Sequence, residues 1–389
     1  MQLFFFLLLI LLLLAKVIVF VLGGLTEVPE AAVDWWELGT RVAQGDWALR
    51  PVGDEPWEPL YPWLIGLLQR TCSRPLLALV CLQAFLWTAT MIIVSSIVGQ
   101  LSRRPAAPFL AIAASLTLVT SLVWATAVTP TSLLGFLLVV HLWQVVMFVH
   151  RPGPGRAFFA PLSLGLLTLA DQNACWLGLI DALYIAVSLV WPIPGDRVRR
   201  VWGIACLGGC LLFLPIAGVL FASPSKDPSR TWPISEYQQL RIKPGLYLSG
   251  WAKQTLAYWE LASAVAPEPV DLAGDPNVTS EPDWMIKIPL ADKLIEYRPS
   301  QLRLFNLSVG LVTAAAALSL IVIRATRPAG LWLAAVVMYL QTKTWVVGDM
   351  TFTERLRAEP LVFIILLVSI SVLAISPPNS QSKKKEASP

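Results

Sequence analysis

Two acidic side chains flank a pair of tryptophans in the segment Asp34-Trp35-Trp36-Glu37. A carboxylate held beside a hydroxyl group can take its proton as a general base, and the flat faces of aromatic rings stack on sugar rings. The alternative is an aromatic belt, because tryptophan and tyrosine favour the depth of lipid headgroups for amphipathic reasons alone. The pattern therefore predicts either a sugar site with a general base or a membrane-interface anchor.

The composition indicates the setting in which these side chains act. Of the 389 residues, 56% are hydrophobic and only 14% are charged, whereas a soluble domain carries about 25% charged residues. Such a chain cannot cover a water-exposed surface with polar groups, so a disordered protein and a cytosolic enzyme are excluded. Five cysteines are too few for a disulfide framework, and two histidines are too few for a histidine-rich metal site. The composition predicts a polytopic membrane protein. The sequence contains no nucleic-acid-binding motif, so no nucleic-acid partner is expected.

Apolar runs near the roughly 20 residues that a helix needs to cross a bilayer predict an all-α fold with about ten transmembrane helices. The first run lacks a basic start and is longer than the apolar part of a secretory signal, so it is predicted to be a retained helix. The predicted spans are 3–24, 77–101, 107–126, 132–149, 157–171, 174–192, 201–222, 304–323, 329–347 and 360–376. Residues 1–376 then form a single membrane domain, and 377–389 form a disordered cytoplasmic tail.

Basic residues concentrate in every second loop, which sets the orientation because cytoplasmic loops carry the excess of lysine and arginine. The basic loops contain Arg103, Arg104, Arg151, Arg156, Arg197, Arg199, Arg200, Arg324, Arg327 and Lys383 to Lys385. The acids in these loops are Asp196 and Glu386. This alternation predicts cytoplasmic N- and C-termini and places two long loops, 25–76 and 223–303, on the outer face.

Helical segments are predicted inside the first outer loop and at one turn between spans. Residues 33–43 have the spacing of a helix that lies at the interface. The apolar run from Glu58 to Leu68 is too short to span a membrane and suits a surface helix started by proline. Between the fifth and sixth spans, the residues Asp171-Gln172-Asn173 predict either a tight hairpin or a broken helix.

The charged residues inside predicted spans are Lys16, Asp171, Asp181 and Lys343. Asp181 is expected to pair with a polar neighbour, and Lys16 is one possible partner. In a transporter it would instead be a candidate proton-pathway acid, because intramembrane acids face the protein interior or water. His141, in the middle of an apolar run, is interpreted as a helix-packing residue.

Two motifs in the first outer loop resemble the start of GT-C-fold membrane glycosyltransferases, such as the protein O-mannosyltransferases and the aminoarabinose transferases of lipid A. In these families a "D-x-x-x-Y-x-x-x-A-x-x-L-x-x-G" stretch precedes "P-P-x-Y-P". The first pattern is matched by Asp34, Leu38, Val42 and Gly45, and the second by Pro59, Tyr61 and Pro62. Residues 354–362, which read "ERLRAEPLV", resemble the "E-x-R-Y/F-R-x-P-x-x-P" stretch of the same families.

The resemblance implies transfer of a sugar from a polyprenyl-phosphate carrier to a glycan, lipid or protein acceptor at the outer membrane face. The lipid-linked sugar is then the donor substrate, membrane lipids surround the chain, and no separate cofactor or metal ligand set is assigned. Asp34 is the implied general base and Glu37, one turn on, is the second candidate. The implied substrate-binding residues are Arg355, Arg357, Arg241, Lys243, Tyr61 and Trp35.

The arginine pair suits phosphate chemically, because a guanidinium fork matches phosphate oxygens and stays charged. The alternative interpretation is that Arg355 and Arg357 extend to lipid headgroups at a helix end. The sequence also departs from the family, since the third-loop acid is replaced by Thr129 or Thr131 and the Arg-Pro pair of relatives reads Asp171-Gln172. The alternatives to an enzyme are therefore a non-catalytic relative of this fold, a transporter or a lipid-binding membrane protein.

Overall fold

The computed structural model describes residues 7, 10–11, 14–15, 33–49, 58–102, 106–115, 130–190, 197–220, 318, 320–321 and 327–346. Within these residues every secondary-structure element is helical and none is a strand, which confirms the all-α class for this part of the chain. The second outer loop 223–303, the last predicted span 360–376 and the tail 377–389 lie outside the described residues.

Nine α-helices make up most of the described chain. They are α1 Val33–Ala43, α2 Leu60–Thr71, α3 Pro75–Ser102, α4 Ala107–Ser115, α5 Thr131–His150, α6 Pro154–Ala170, α7 Leu177–Ile185, α8 Arg197–Leu220 and α9 Arg327–Val346. A 3₁₀ turn, Gln172–Trp176, precedes α7, and a π-helical segment, Ala186–Val190, follows it.

Two of the described helices are long and apolar enough to cross a membrane, namely α3 and the segment Ser132–His150 of α5. With a rise of about 1.5 Å per residue, helices of this length match a hydrocarbon core about 30 Å thick. Both coincide with predicted spans. Of two shorter apolar helical segments, Ala174–Leu189 falls within the predicted span 174–192 and Arg200–Leu212 overlaps the predicted span 201–222.

Helices α3 to α9 pack in a chain of neighbours. α3 contacts α4 and α5, α5 contacts α6, α6 contacts α8, α8 contacts α7, and α7 contacts α9. Fully buried aliphatic side chains fill the interior, among them Ile97, Val145, Leu164, Ile185 and Val336. The continuous apolar composition of α3 and α5 leaves no polar stripe, so these helices do not have the one-sided pattern of a helix on a water-exposed surface.

The outer side of this bundle carries large apolar side chains. Examples on five different helices, each more than half exposed, are Phe85, Phe158, Leu183, Ile204 and Leu331. Histidine and aspartate side chains are at the same time buried inside, at His141 and Asp181. Exposed large apolar residues together with buried charges are the informative departures from the usual arrangement of a water-soluble protein.

The residues around Asp171 form a tight hairpin rather than a broken helix. The Asp171 N–H closes α6 by donating to the Leu167 carbonyl at 2.9 Å, and the Asp171 carbonyl accepts from the Ala174 N–H at 2.9 Å. Beyond this turn α7 returns alongside α6, since a Cβ atom on Gly178 would lie 3.1 Å from Leu164 Cδ2. The hairpin brings residues on either side of Asp171 to the same level.

Candidate functional site

The first candidate site is built on α1 and α2, the two helices that carry the motifs of the first outer loop. The buried face of α1 contains Gly39 and Val42, while Glu37 points outward and is exposed. The Thr40 hydroxyl donates to the Trp36 carbonyl at 3.0 Å within the same helix. Both predicted helices are therefore confirmed as helices, and α1 is amphipathic as predicted.

Two glycines let the backbones of α1 and α2 approach closely. A Cβ atom on Gly66 would lie 2.6 Å from Val42 Cβ and 2.8 Å from the Gly39 carbonyl oxygen. A Cβ atom on Gly39 would lie 2.7 Å from Ile65 Cβ. Because real Cβ atoms essentially never come within 3.0 Å of another heavy atom, neither position accepts a larger residue without a shift of the helices.

Gly45 of the first motif ends α1. Its φ of +106° lies in the region that favours glycine. The Gly45 N–H donates to the Val42 carbonyl at 2.9 Å and the Asp46 N–H donates to the Arg41 carbonyl at 3.0 Å. This pair of bonds is a Schellman motif, which satisfies the last carbonyls of a helix. Gly45 thus has a structural role as the residue that ends α1.

The segment after Gly45 folds back onto α2. Asp46 forms an ion pair with Arg41 at 2.6 Å, with both side chains more than a third exposed. The Trp63 indole N–H donates to the Trp47 carbonyl at 2.9 Å, and the Arg70 guanidinium lies 6.0 Å from the centre of the Trp47 ring. The described part of this segment contacts α2 through the Trp47 carbonyl and ring.

Trp35 and Tyr61, predicted separately as substrate-binding residues, contact each other. Their ring centroids lie 5.7 Å apart at an interplanar angle of 80°, an edge-to-face arrangement. Tyr61 is 2% exposed, and the Gln83 side-chain amide donates to its hydroxyl oxygen at 2.9 Å, which ties α2 to α3. Burial raises the pKa of the Tyr61 hydroxyl, and the bond from Gln83 lowers it by less.

The remaining predicted site residues are placed only in part. Asp34 lies in the first turn of α1, and Glu37 is on the exposed face of the same helix. Arg241, Lys243, Arg355 and Arg357 lie outside the described residues. The structure therefore places Trp35 of α1 against Tyr61 of α2. The cationic part of the predicted site stays a prediction.

A second polar group lies inside the helix bundle, on four different helices. His141 of α5 contacts Asp181 of α7, with 2.7 Å between Nε2 and Oδ2. On the other side of the ring, His141 Nδ1 lies 3.0 Å from the Ser163 hydroxyl of α6. The Trp332 indole N–H of α9 donates to Asp181 Oδ1 at 2.8 Å, and Tyr184 stacks on the Trp332 ring with centroids 4.7 Å apart. We call His141, Ser163, Asp181 and Trp332 the buried polar cluster.

The expected pairing of Asp181 with a polar neighbour is confirmed. Its partners are His141 and Trp332, whereas Lys16 lies outside the described residues. Describing His141 as only a packing residue was wrong, because both of its ring nitrogens have polar partners. In the described part of the chain, no three His, Cys, Asp or Glu side chains form a group that could hold a metal ion.

No family model matches the chain, and no curated protein matches it significantly.

Proposed function

We propose that the chain is a multi-pass membrane protein with about ten transmembrane helices and both termini in the cytoplasm. Support comes from the two helices that are long and apolar enough to cross a membrane, and from the large apolar side chains exposed on α3 and on α6 to α9. A bilayer removes the cost of exposing these side chains because lipid tails are themselves apolar. The alternation of basic loops supports the orientation.

We further propose that this membrane protein transfers a sugar from a polyprenyl-phosphate carrier to an acceptor at the outer face. One observation carries the proposal: the two helices with family-like motifs pack directly against each other, with Trp35 on Tyr61. Val42 and Gly45 of the first motif have clear structural roles in this contact and in the end of α1. Asp34, in the first turn of the same helix, is left as the motif residue proposed for chemistry.

In the proposed reaction Asp34 takes the proton of the acceptor hydroxyl, and that oxygen then attacks the sugar carbon bonded to the carrier phosphate. Negative charge grows on the departing phosphate, so cations placed there lower the barrier. Arg355 and Arg357 are the proposed clamp, and Arg241 with Lys243 are the alternative cations. Tyr61 is buried, so its role in the proposal is to hold Trp35, whose partly buried ring faces the sugar.

The test uses isolated membranes and a panel of radiolabelled polyprenyl-phosphate hexoses and pentoses. Asp34→Asn is expected to keep expression and donor binding but to slow transfer by about 10²–10⁴-fold, which is the usual contribution of a general base. Glu37→Gln, one turn along the same exposed helix, is the matched variant and should keep most of the activity. Unchanged transfer in Asp34→Asn with a loss in Glu37→Gln would move the base to Glu37.

A specific observation favours a second candidate, a transporter. The buried polar cluster places an acid and a histidine among apolar helices, and polar groups at such positions commonly mark ion or substrate pathways. Purified protein in liposomes separates the two candidates. Sugar transfer that depends on Asp34 supports the enzyme, whereas solute flux that depends on Asp181 and not on Asp34 supports the transporter. A non-catalytic relative would show neither.

A further inference from the structure

The contacts of the buried polar cluster define how many protons it holds. The Ser163 hydroxyl donates to the Ala160 carbonyl at 2.7 Å, and a carbonyl can only accept. The single hydroxyl proton of Ser163 is therefore used, so the 3.0 Å contact between Ser163 Oγ and His141 Nδ1 needs a proton on the ring nitrogen. A neutral imidazole carries one N–H, and this contact places it on Nδ1, so that Nε2 has no proton of its own.

The contact between His141 Nε2 and Asp181 Oδ2 needs a further proton. At 2.7 Å two lone pairs would repel, whereas one proton between the atoms makes a short, charge-assisted bond. This proton is additional to a neutral histidine and an ionised aspartate. It makes the pair neutral overall, either as imidazolium with carboxylate or as imidazole with carboxylic acid.

Burial favours this neutral, loaded form. The His141 and Asp181 side chains are 0% and 1% exposed, and an uncompensated charge at such a place is expensive. Among the side chains whose burial the structure describes, no lysine or arginine is buried, and the other buried acid is Asp171 in the hairpin turn. The other buried titratable side chains on the elements packed around the cluster are Tyr184, Tyr339, Cys175, Cys206 and Cys210. His150, Arg156 and Arg200 lie near helix ends on α5, α6 and α8 and are not buried. Phenols and thiols are neutral near pH 7, so they supply no positive charge.

The cluster also has a hydrogen-bonded form with one proton fewer. Rotation of the Ser163 hydroxyl away from the Ala160 carbonyl lets it donate to His141 Nδ1. The ring N–H then lies on Nε2 and donates to the Asp181 carboxylate, whose other oxygen keeps the Trp332 N–H. One proton leaves, no covalent bond between heavy atoms changes, and the contacts to the ring persist. The two forms differ by a single proton and one hydroxyl rotation.

We propose that His141 and Asp181 form a proton-binding site inside the helix bundle, with Ser163 as its hydroxyl switch and Trp332 as a fixed donor. The site joins α5, α6, α7 and α9, so its proton occupancy is linked to the packing of four helices. The proposal does not depend on whether the protein transfers sugar or transports a solute.

The chain has only two histidines, which makes a direct test possible. Full-length protein labelled with ¹⁵N-histidine is reconstituted in lipid nanodiscs, and the protonation of its ring nitrogens is read by NMR at neutral pH. His150→Gln removes the other histidine, which lies at the end of α5 with Nδ1 2.9 Å from the Val146 carbonyl, and so assigns His141. Infrared spectra of the same samples report whether a buried carboxylic acid is present.

At neutral pH the expected result is either a doubly protonated His141 ring or a protonated carboxyl band that disappears in Asp181→Asn. Asp181→Asn should remove the additional proton and leave a neutral ring, whereas Ser163→Ala keeps the Nε2–Oδ2 contact and should still show the additional proton. A neutral ring beside an ionised carboxylate at neutral pH in the wild type would overturn the proposal, even if a variant failed to fold. A doubly protonated His141 ring that persists in Asp181→Asn would also overturn it.

Discussion

Substituting Gly66 by alanine should weaken the contact between α1 and α2, and the structure allows the loss of free energy to be worked out. The new Cβ would meet Val42 Cβ, Val42 Cγ1 and the Gly39 carbonyl oxygen, all within 2.8 Å. Overpacking costs about 1–3 kcal/mol. The upper end applies here because a backbone oxygen and a β-carbon cannot rotate away. Alanine regains about 1 kcal/mol of helix propensity, so the net loss is about 2 kcal/mol, or about 30-fold in the opening equilibrium.

Gly208 of α8 provides the matched control. It is also a glycine inside a helix, but a Cβ atom there would have no neighbour within 4 Å. Gly208→Ala should therefore stabilise α8 by up to about 1 kcal/mol. The two substitutions are the same in chemistry and opposite in predicted sign, which separates steric contact from helix propensity.

Amide hydrogen exchange on full-length protein in nanodiscs measures the opening locally. Backbone amides in residues 33–49 and 60–71 of the Gly66→Ala protein should exchange about 30-fold faster, because exchange follows the population of the open form. Amides in α5 and α6 should be unchanged. Equal exchange in wild type and Gly66→Ala would refute the close helix contact, and with it the observation that carries the proposed enzyme activity.

Three further predictions test other parts of the reasoning. Reporter domains fused after Gln69 or Ala273 should lie on the outer face, and those fused after Arg104, Arg200 or Lys385 should lie in the cytoplasm. One reversed result would contradict the predicted alternation of the loops. Replacing Arg355 or Arg357 by alanine should weaken polyprenyl-phosphate binding roughly 10- to 150-fold, since a charge-assisted bond contributes about 1.5–3 kcal/mol. Lysine at either position should restore only part of the affinity, and full restoration would indicate contact with lipid headgroups instead. Because burial raises the pKa of Tyr61, its contribution to stability is present below the unfolded pKa of about 10 and is lost as the pH rises above it. Tyr61→Phe should flatten that alkaline fall in unfolding free energy, and an unaltered slope would contradict the burial argument.

Local pattern predicted the helices well because each depends on residues close together in sequence. The amphipathic spacing of 33–43 and the proline before the next apolar run predicted α1 and α2, and apolar length predicted α3 and α5 within two residues at each end. The contact between α1 and α2 was not predicted. Its signal was present in Gly39 and Gly66, since glycine inside a helix often marks a close backbone approach, but the glycines do not say which helix approaches.

The buried polar cluster shows where sequence reasoning could have gone further and where it had to stop. Tight turns lie near Pro152 and Gln172, and chain positions equally far from a tight turn come level on antiparallel helices. His141 and Ser163 are each eleven residues from Pro152, and Ser163 and Asp181 are each nine from Gln172. Three members were thus predictable from turn positions and helix rise alone.

Trp332 differs because it is 151 residues from Asp181. No tight turn relates its helix to α7, so its level and neighbour depend on how distant helices pack. A buried carboxylate must nevertheless find donors. The Asp181 side chain therefore requires a partner, while only the three-dimensional packing identifies that partner as the Trp332 indole.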